Sequence, residues 1–324
     1  KEQVIVEIFF FFLYNEAENK KGMVMNMNNK NWVSVWGNAV SIAEHHPEAY
    51  AKYITLRYPV YIPFDGDTLR FTFDNFCGSE AVTVTRATVS AATSPVYEKM
   101  PLACPCKKET ICDITFSKNE SVTMEAHQTA VSDPVSFPVK KGMTLTVSLY
   151  FADFTLMQSA VLVTGPLSKG FFSLGDQTHA DALPMDTTKT TNWFYFLSNI
   201  ELMTAEENHT VICYGDSITA GAWPDYLTLL ARQNPDNHTA FIRRATSGSR
   251  VLRQYECITY DSYGLKGTNR FPHEIPTTGA DTVIIQQGIN DIIHPVGIET
   301  NPFRPMSDLP TVKELIDGYR YYIE

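Results

Sequence analysis

A serine placed for nucleophilic attack stands in Gly215-Asp216-Ser217-Ile218-Thr219, straight after the apolar run Thr210-Val211-Ile212-Cys213-Tyr214. A loop between a buried strand and a helix suits such a serine. Its side chain is exposed there, and the unpaired N–H groups of the helix start favour a developing anion. Gly215 permits a tight backbone turn at this point. The pattern differs from the Gly-x-Ser-x-Gly elbow of the α/β-hydrolases. Taken alone it also matches an ordinary strand-to-helix turn, where Gly, Asp and Ser are common. Two further segments supply what the serine lacks. Ala245-Thr246-Ser247-Gly248-Ser249-Arg250 follows one strand-like stretch, and Gln287-Gly288-Ile289-Asn290-Asp291 follows another. A glycine N–H can come close to a ligand, and an asparagine amide donates without charge. With the N–H of Ser217, Gly248 and Asn290 would complete an oxyanion hole. By itself Gly248 fits a turn and Asn290 a helix cap. The three loops in this order point to acyl-transfer chemistry. Gly215, Asp216 and Asp291 are read as supporting residues, with Asp216 ordering its loop.

Elements of the right kind surround these loops. Residues 210–214, 240–242 and 282–285 read as strands. Residues 224–232 read as a helix with Tyr226, Leu227, Leu229 and Leu230 on an apolar stripe. A second helix over residues 311–324 opens on the capping box Thr311-x-x-Glu314 and carries Val312, Leu315, Ile316 and Tyr319 on one face. Strand–helix alternation argues for a parallel α/β sheet. That sheet reads as incomplete, so its third strand is expected to expose an unpaired edge.

The first half of the chain has a different period. Leu69, Phe71 and Phe73 alternate with polar neighbours, as do Val82 and Val84, and Val122 and Met124. The longest case is Met143, Leu145, Val147, Leu149 and Phe151, with Thr144, Thr146 and Ser148 expected to face solvent. Turns at Phe64-Asp65-Gly66-Asp67, Ser132-Asp133-Pro134 and Lys140-Lys141-Gly142 separate the runs. This is the pattern of an antiparallel β-sandwich that closes its own core, with residues 192–197 as its last strand. The polar stretch 204–208 reads as a linker.

Gly215-Asp216-Ser217-Ile218, Gly248 within Thr246-Ser247-Gly248-Ser249-Arg250, and Asn290 within Gly288-Ile289-Asn290-Asp291 resemble the first three blocks of the GDSL/SGNH serine hydrolases. The resemblance implies a flavodoxin-like α/β/α domain, with Ser217 as nucleophile and Gly248 and Asn290 as oxyanion donors. The first half is similar to the jelly-roll-like sandwich of one bacterial branch, through Trp32-Val33-Ser34-Val35-Trp36, the stretch from Leu69 to Gly78, and Ser132-Asp133-Pro134-Val135. Family members take their catalytic Asp and His from a final Asp-x-x-His block. No such block is expected after Asn290. The expected fold is therefore two-domain: a β-sandwich over residues 27–203 and an incomplete hydrolase domain over residues 208–324. His294, four residues after Asn290, is placed near the site mouth, as a substrate contact rather than the base. His179, His209, His238 and His273 read as surface residues.

Composition bounds the rest. The chain has 324 residues, 44% of them hydrophobic and 19% charged, enough for a sizeable core. A formal net charge of −10 argues against nucleic acid and anionic membranes as partners, and leaves neutral ester or sugar substrates open. Among the six cysteines, Cys104-Pro-Cys106 with Cys112 lacks the partners of a metal clip. Cys213 reads as a buried thiol. No metal or organic cofactor is expected. The apolar run from Val4 to Tyr14 is too short to span a bilayer. Residues 1–26 are read as a leader outside both domains, with the native start at Met23, Met25 or Met27 and a cytoplasmic location. The expected function is hydrolysis of short-chain or acetyl carboxylic esters, those of carbohydrates included. The rival is a non-catalytic carbohydrate-binding protein that retains an esterase relic.

Overall fold

Period-two alternation becomes two antiparallel sheets in the computed structural model, which describes residues 11–14, 30–42, 50–254, 265–297 and 305–324. The longest strands of this half are β1 (Lys30–Gly37), β2 (Ile54–Tyr61), β3 (Gly66–Asp74), β4 (Arg86–Ala91), β5 (Thr144–Phe151) and β6 (Leu197–Ala205). One sheet has the order Thr129–Val131, β3, β6, β1, with Val135–Val139 also paired to β3. The other runs Lys189–Thr191, Gly170–Leu174, β2, β5, β4, Cys112–Ile114. Phe71 and Phe73 of β3 and Ile200 of β6 share one buried cluster with Leu56 of β2 and Val147 and Leu149 of β5.

Several expectations need correction here. On β5 both faces are buried, so Thr144, Thr146 and Ser148 do not face solvent. Hydrogen bonds make that burial tolerable: Ser148 Oγ accepts from Arg57 Nε at 2.9 Å, and Thr146 pairs with Ser90 at 2.6 Å. Residues 192–197 are not the last strand. Phe196 has φ +60° and separates the short strand Trp193–Tyr195 from β6, which runs on to Ala205 and so takes in the first two residues of the presumed linker.

Three parallel strands follow: β7 (His209–Gly215), β8 (Thr239–Ala245) and β9 (Ala280–Gln286). Strand β7 is central, with β8 and β9 on either side. The free edge of β9 is not open. The strand Phe11–Tyr14 pairs with it antiparallel, from Phe11↔Ile285 to Tyr14↔Thr282. Part of the presumed leader is therefore a sheet member; its other residues, Met23 to Met27 included, lie outside those described. The described helices are α1 (Ser217–Ala220), α2 (Trp223–Arg232), α3 (Gly267–Glu274), α4 (Ile289–Val296) and α5 (Val312–Ile323). The capping box at Thr311 and Glu314 is formed. The apolar faces are not those expected. Tyr226, Leu230, Val312 and Ile316 are exposed. Helix α2 instead turns Pro224 and Asp225 inward, because Asp225 is the partner of buried Arg243; α5 buries Gly318 and Tyr322. Cys213 is a buried free thiol, whereas Cys257 lies outside the described residues. Among the described residues no helix is long and apolar enough to cross a membrane.

The second half buries a cluster of its own around Ile212, Tyr214, Ile242 and Tyr322, but the two halves also share a seam. Ala220, Ala240 and Ala245 join the buried cluster of the sandwich. The Arg244 guanidinium crosses the seam to Asn38 O (2.5 Å), Ser198 O (2.7 Å) and Asn199 Oδ1 (3.0 Å), while its Nε donates to Glu274 O (3.2 Å). From the other side, Thr210 Oγ1 donates to Ser34 O at 2.6 Å, and Ser34 N to Thr278 O at 2.9 Å. His273 on α3 bonds Asp74 on β3 at 2.8 Å and stacks on Phe76. The expectation that residues 27–203 fold alone is replaced by one of joint unfolding. Circular dichroism and tryptophan emission should give coincident denaturation curves, and two separated transitions would refute the shared seam. Arg244→Met should lower the unfolding free energy by about 3 kcal/mol, because it strands buried carbonyl groups.

Candidate functional site

Register assembles the site. Gly215 pairs with Ala245 on one side and with Gln286 on the other, so the three chemistry-bearing loops leave the sheet at one level. The first bonds past the strands then tie these loops together. Thr246 N donates to Gly215 O at 3.1 Å, and Asp216 N to Gln286 O at 3.3 Å. Gly215 is needed for space, not for its turn conformation. A Cβ there would lie 2.2 Å from Gln286 O and 2.4 Å from Thr219 Oγ1. Ser217 is exposed and opens α1. Asp216 orders the loop as anticipated: it is the N-cap of α1, and its Oδ1 accepts from Ile218 N at 3.1 Å.

The second and third loops are locked to each other. Gly248 has φ +75°, a conformation that favours glycine. Ser249 beside it is buried, and its Oγ accepts from both Gln287 Nε2 and Arg270 Nη1 at 2.8 Å. Asn290 on the first turn of α4 donates one amide hydrogen to Ser249 O at 3.1 Å. An Asn amide carries two such hydrogens, so one remains for a ligand. Asp291 accepts from Val251 N at 2.7 Å and from Leu252 N at 3.0 Å, which anchors the end of the Gly248 loop. Its carboxyl sits above the ordinary carboxylate range because of burial.

Asp291-Ile292-Ile293-His294 carries the spacing of the family's final block within its third, a coincidence that sequence reading passed over. Its geometry does not serve a triad, since both Asp291 oxygens hold backbone N–H groups. His294 is also not at a site mouth. Helical spacing puts it on the inner face of α4 with Asn290, and it is buried. Burial, and after it the Arg250 charge, push its pKa down to about 4. So weak a base takes little of a serine proton near neutrality.

Arg270 is the residue that sequence reading missed. It lies on α3, a helix hidden by the breakers Gly267 and Pro272. Buried beneath the loops, its guanidinium bonds Glu274 Oε1 (3.0 Å) and Oε2 (2.8 Å), Ser249 Oγ (2.8 Å), Gly215 O (3.4 Å) and Arg244 O (3.2 Å). All five of its donors are spent. Burial works against the Arg270 charge, but Glu274 outweighs it and holds the group protonated. Gln287 is similarly fixed, with Tyr322 donating to its Oε1 at 2.7 Å and Tyr319 to its carbonyl. His273 is not the free surface residue expected, because it is bound to Asp74 across the seam.

Asp216 is fully buried, and its Oδ2 has no hydrogen-bond partner among the described residues. Burial pushes its pKa from 3.8 up to about 6, with the Asp291 carboxylate adding to the rise. Folded Asp216 thus keeps a proton that the unfolded chain has lost. Its stabilising contribution is complete below pH 3.8 and disappears as pH rises through about 6. Asp216→Asn retains the cap acceptor. It should stabilise the protein by on the order of 2 kcal/mol at about pH 8 and by much less at about pH 4. Denaturant unfolding at both pH values checks this, and an equal gain at each would rule out titration as its source. No protein-family model matches this chain, and no curated protein matches it.

Proposed function

We infer that the chain is a serine ester hydrolase of the GDSL/SGNH type, acting on short-chain or acetyl esters, including those of carbohydrates. One observation carries the reading. Exposed Ser217 opens a helix at the carboxyl end of the central parallel strand, and in-register neighbours bring the Gly248 and Asn290 loops to the same level. Ligands of open α/β sheets bind at that end of the strands. In this reading, β7 to β9 with their helices belong to a flavodoxin-like α/β/α domain.

The chemistry follows from the groups in place. Ser217 Oγ attacks the ester carbonyl, and its proton passes to a base outside the described residues. The N–H groups of Ser217 and Gly248 and the free amide hydrogen of Asn290 receive the oxyanion. Collapse expels the alcohol and leaves an acyl-serine, which water then hydrolyses. The scheme uses neither metal nor organic cofactor. The sequence has no long apolar lid segment, which favours small acyl groups.

Ser217→Ala should abolish hydrolysis of p-nitrophenyl acetate and labelling by a fluorophosphonate. Asn290→Ala should retain the circular dichroism of the wild type and lose on the order of 10²–10³ in kcat. Unchanged turnover in Ser217→Ala would sink the nucleophile. A protein that binds an acetylated sugar without hydrolysing it would be the esterase relic instead.

A further inference from the structure

We propose that the seam between the sandwich and α2 is a second ligand site, built for one neutral sugar unit. Trp36, Asn38 and Tyr61 line this cleft from the sandwich; Arg232, Asn237 and Arg243 line it from the other half. It is separate from the Ser217 site. On β8 its walls come from residues 239–243, upstream of the end where the loops begin, and no residue of the Ser217, Gly248 or Asn290 loops lines it. Domain seams are common places for small-ligand sites.

Unspent polar groups point to the ligand. Arg243 is 5% exposed, and its charge is matched by Asp225 at 2.6 Å. Its Nη1 donates to Ser168 Oγ at 2.8 Å, yet its Nε–H is buried without an acceptor among the described residues. A ligand oxygen at this wall would remove that deficit. Asn38 is buried at 3% exposure, and its backbone is fully used: its N donates to Ser198 O at 3.0 Å and its carbonyl accepts from Arg244. Its side-chain amide bonds no described residue, and Asn38 lines both this cleft and the neighbouring one beside Arg244 and His273, so it offers a donor and an acceptor at the seam. Burial holds the Tyr61 hydroxyl pKa up at about 12, so it remains a donor.

Apolar surface stands beside these groups. Trp36 is half-buried and tilted against Phe194, with ring centroids 5.8 Å apart. A sugar ring presents an apolar C–H face for an aromatic side chain and hydroxyls that both donate and accept. A purely apolar ligand would leave the Arg243 and Asn38 groups unpaired. An anion gains little at Arg243, whose charge Asp225 already matches.

The site does not depend on Ser217 being catalytic, so binding tests it directly. The protein is titrated calorimetrically with D-glucose, D-galactose, D-xylose and N-acetyl-D-glucosamine. At least one should bind saturably. Asn38→Ala, which removes no hydrogen bond within the protein, should weaken that sugar about tenfold. Ala231→Phe, which fills the cleft from α2, should abolish binding, and Ser217→Ala should leave it unchanged. Absence of saturable binding by all four sugars overturns the proposal. So does binding that survives both cleft variants, or that is lost in Ser217→Ala, since the sugar then lies elsewhere. A thermal melt of each variant identifies misfolding; if one fails to fold, the other decides.

Discussion

A buried charge must be matched, and Arg270 shows how much of this molecule depends on that rule. Its guanidinium lies under the strand ends, where an unpaired cation would be strongly destabilising. Glu274, one helical turn away on α3, supplies the matching charge through two bonds. The remaining donors hold the carbonyls of Gly215 and Arg244 and the Ser249 hydroxyl. The ends of β7 and β8 and the loop bearing Gly248 are therefore fixed from below by one side chain. Arg244 extends the same network, because its backbone carbonyl serves Arg270 while its side chain reaches into the sandwich. Glu274 joins the two: its carboxylate binds Arg270 and its carbonyl accepts from Arg244 Nε. Site and seam are parts of one buried arrangement.

The sandwich is accordingly a support for the serine loop and not an appendage. Thr164 N donates to Ala220 O at the end of α1, and Leu167 N and Ser168 Oγ both bond Asp225 on α2 at 2.9 Å. Glycine at position 165 fits this contact, since a Cβ would lie 2.2 Å from Asp225 Oδ2. The short helix α1 has only one turn of its own hydrogen bonds. Its placement comes from Asp216 at one end and from the sandwich loop at the other.

Acidic groups at the site are held by backbone donors. Asp216 caps α1, and Asp291 gathers two N–H groups of the loop after β8. Both have pKa values raised by burial, which those bonds only partly offset. The same low-dielectric surroundings keep His294 neutral. Position along the sequence places Asp291 and His294 beside Asn290, but burial decides what protonation chemistry each can offer.

The sequence by itself determined what depends on neighbours in the chain. Alternation at Leu69, Phe71 and Phe73 marked a half-buried strand, the apolar run at residues 210–214 marked a fully buried one, and Thr311 with Glu314 marked a helix start, because each signal is local. Ser217, Gly248 and Asn290 were legible as residues that follow strands for the same reason, although Ser217 and Asn290 lie in the first turns of helices. Tertiary structure alone decided which faces are buried and which polar groups are spent. Ser148 is inside because Arg57 reaches it from another strand, and Leu230 is outside because Asp225 took the inner face of α2. Phe11–Tyr14 became a sheet member through a partner more than 250 residues away, a pairing with no local signature. Arg270 was invisible for the deepest reason: its importance comes from acceptors on three separate segments, which only folding brings within hydrogen-bond reach of one guanidinium.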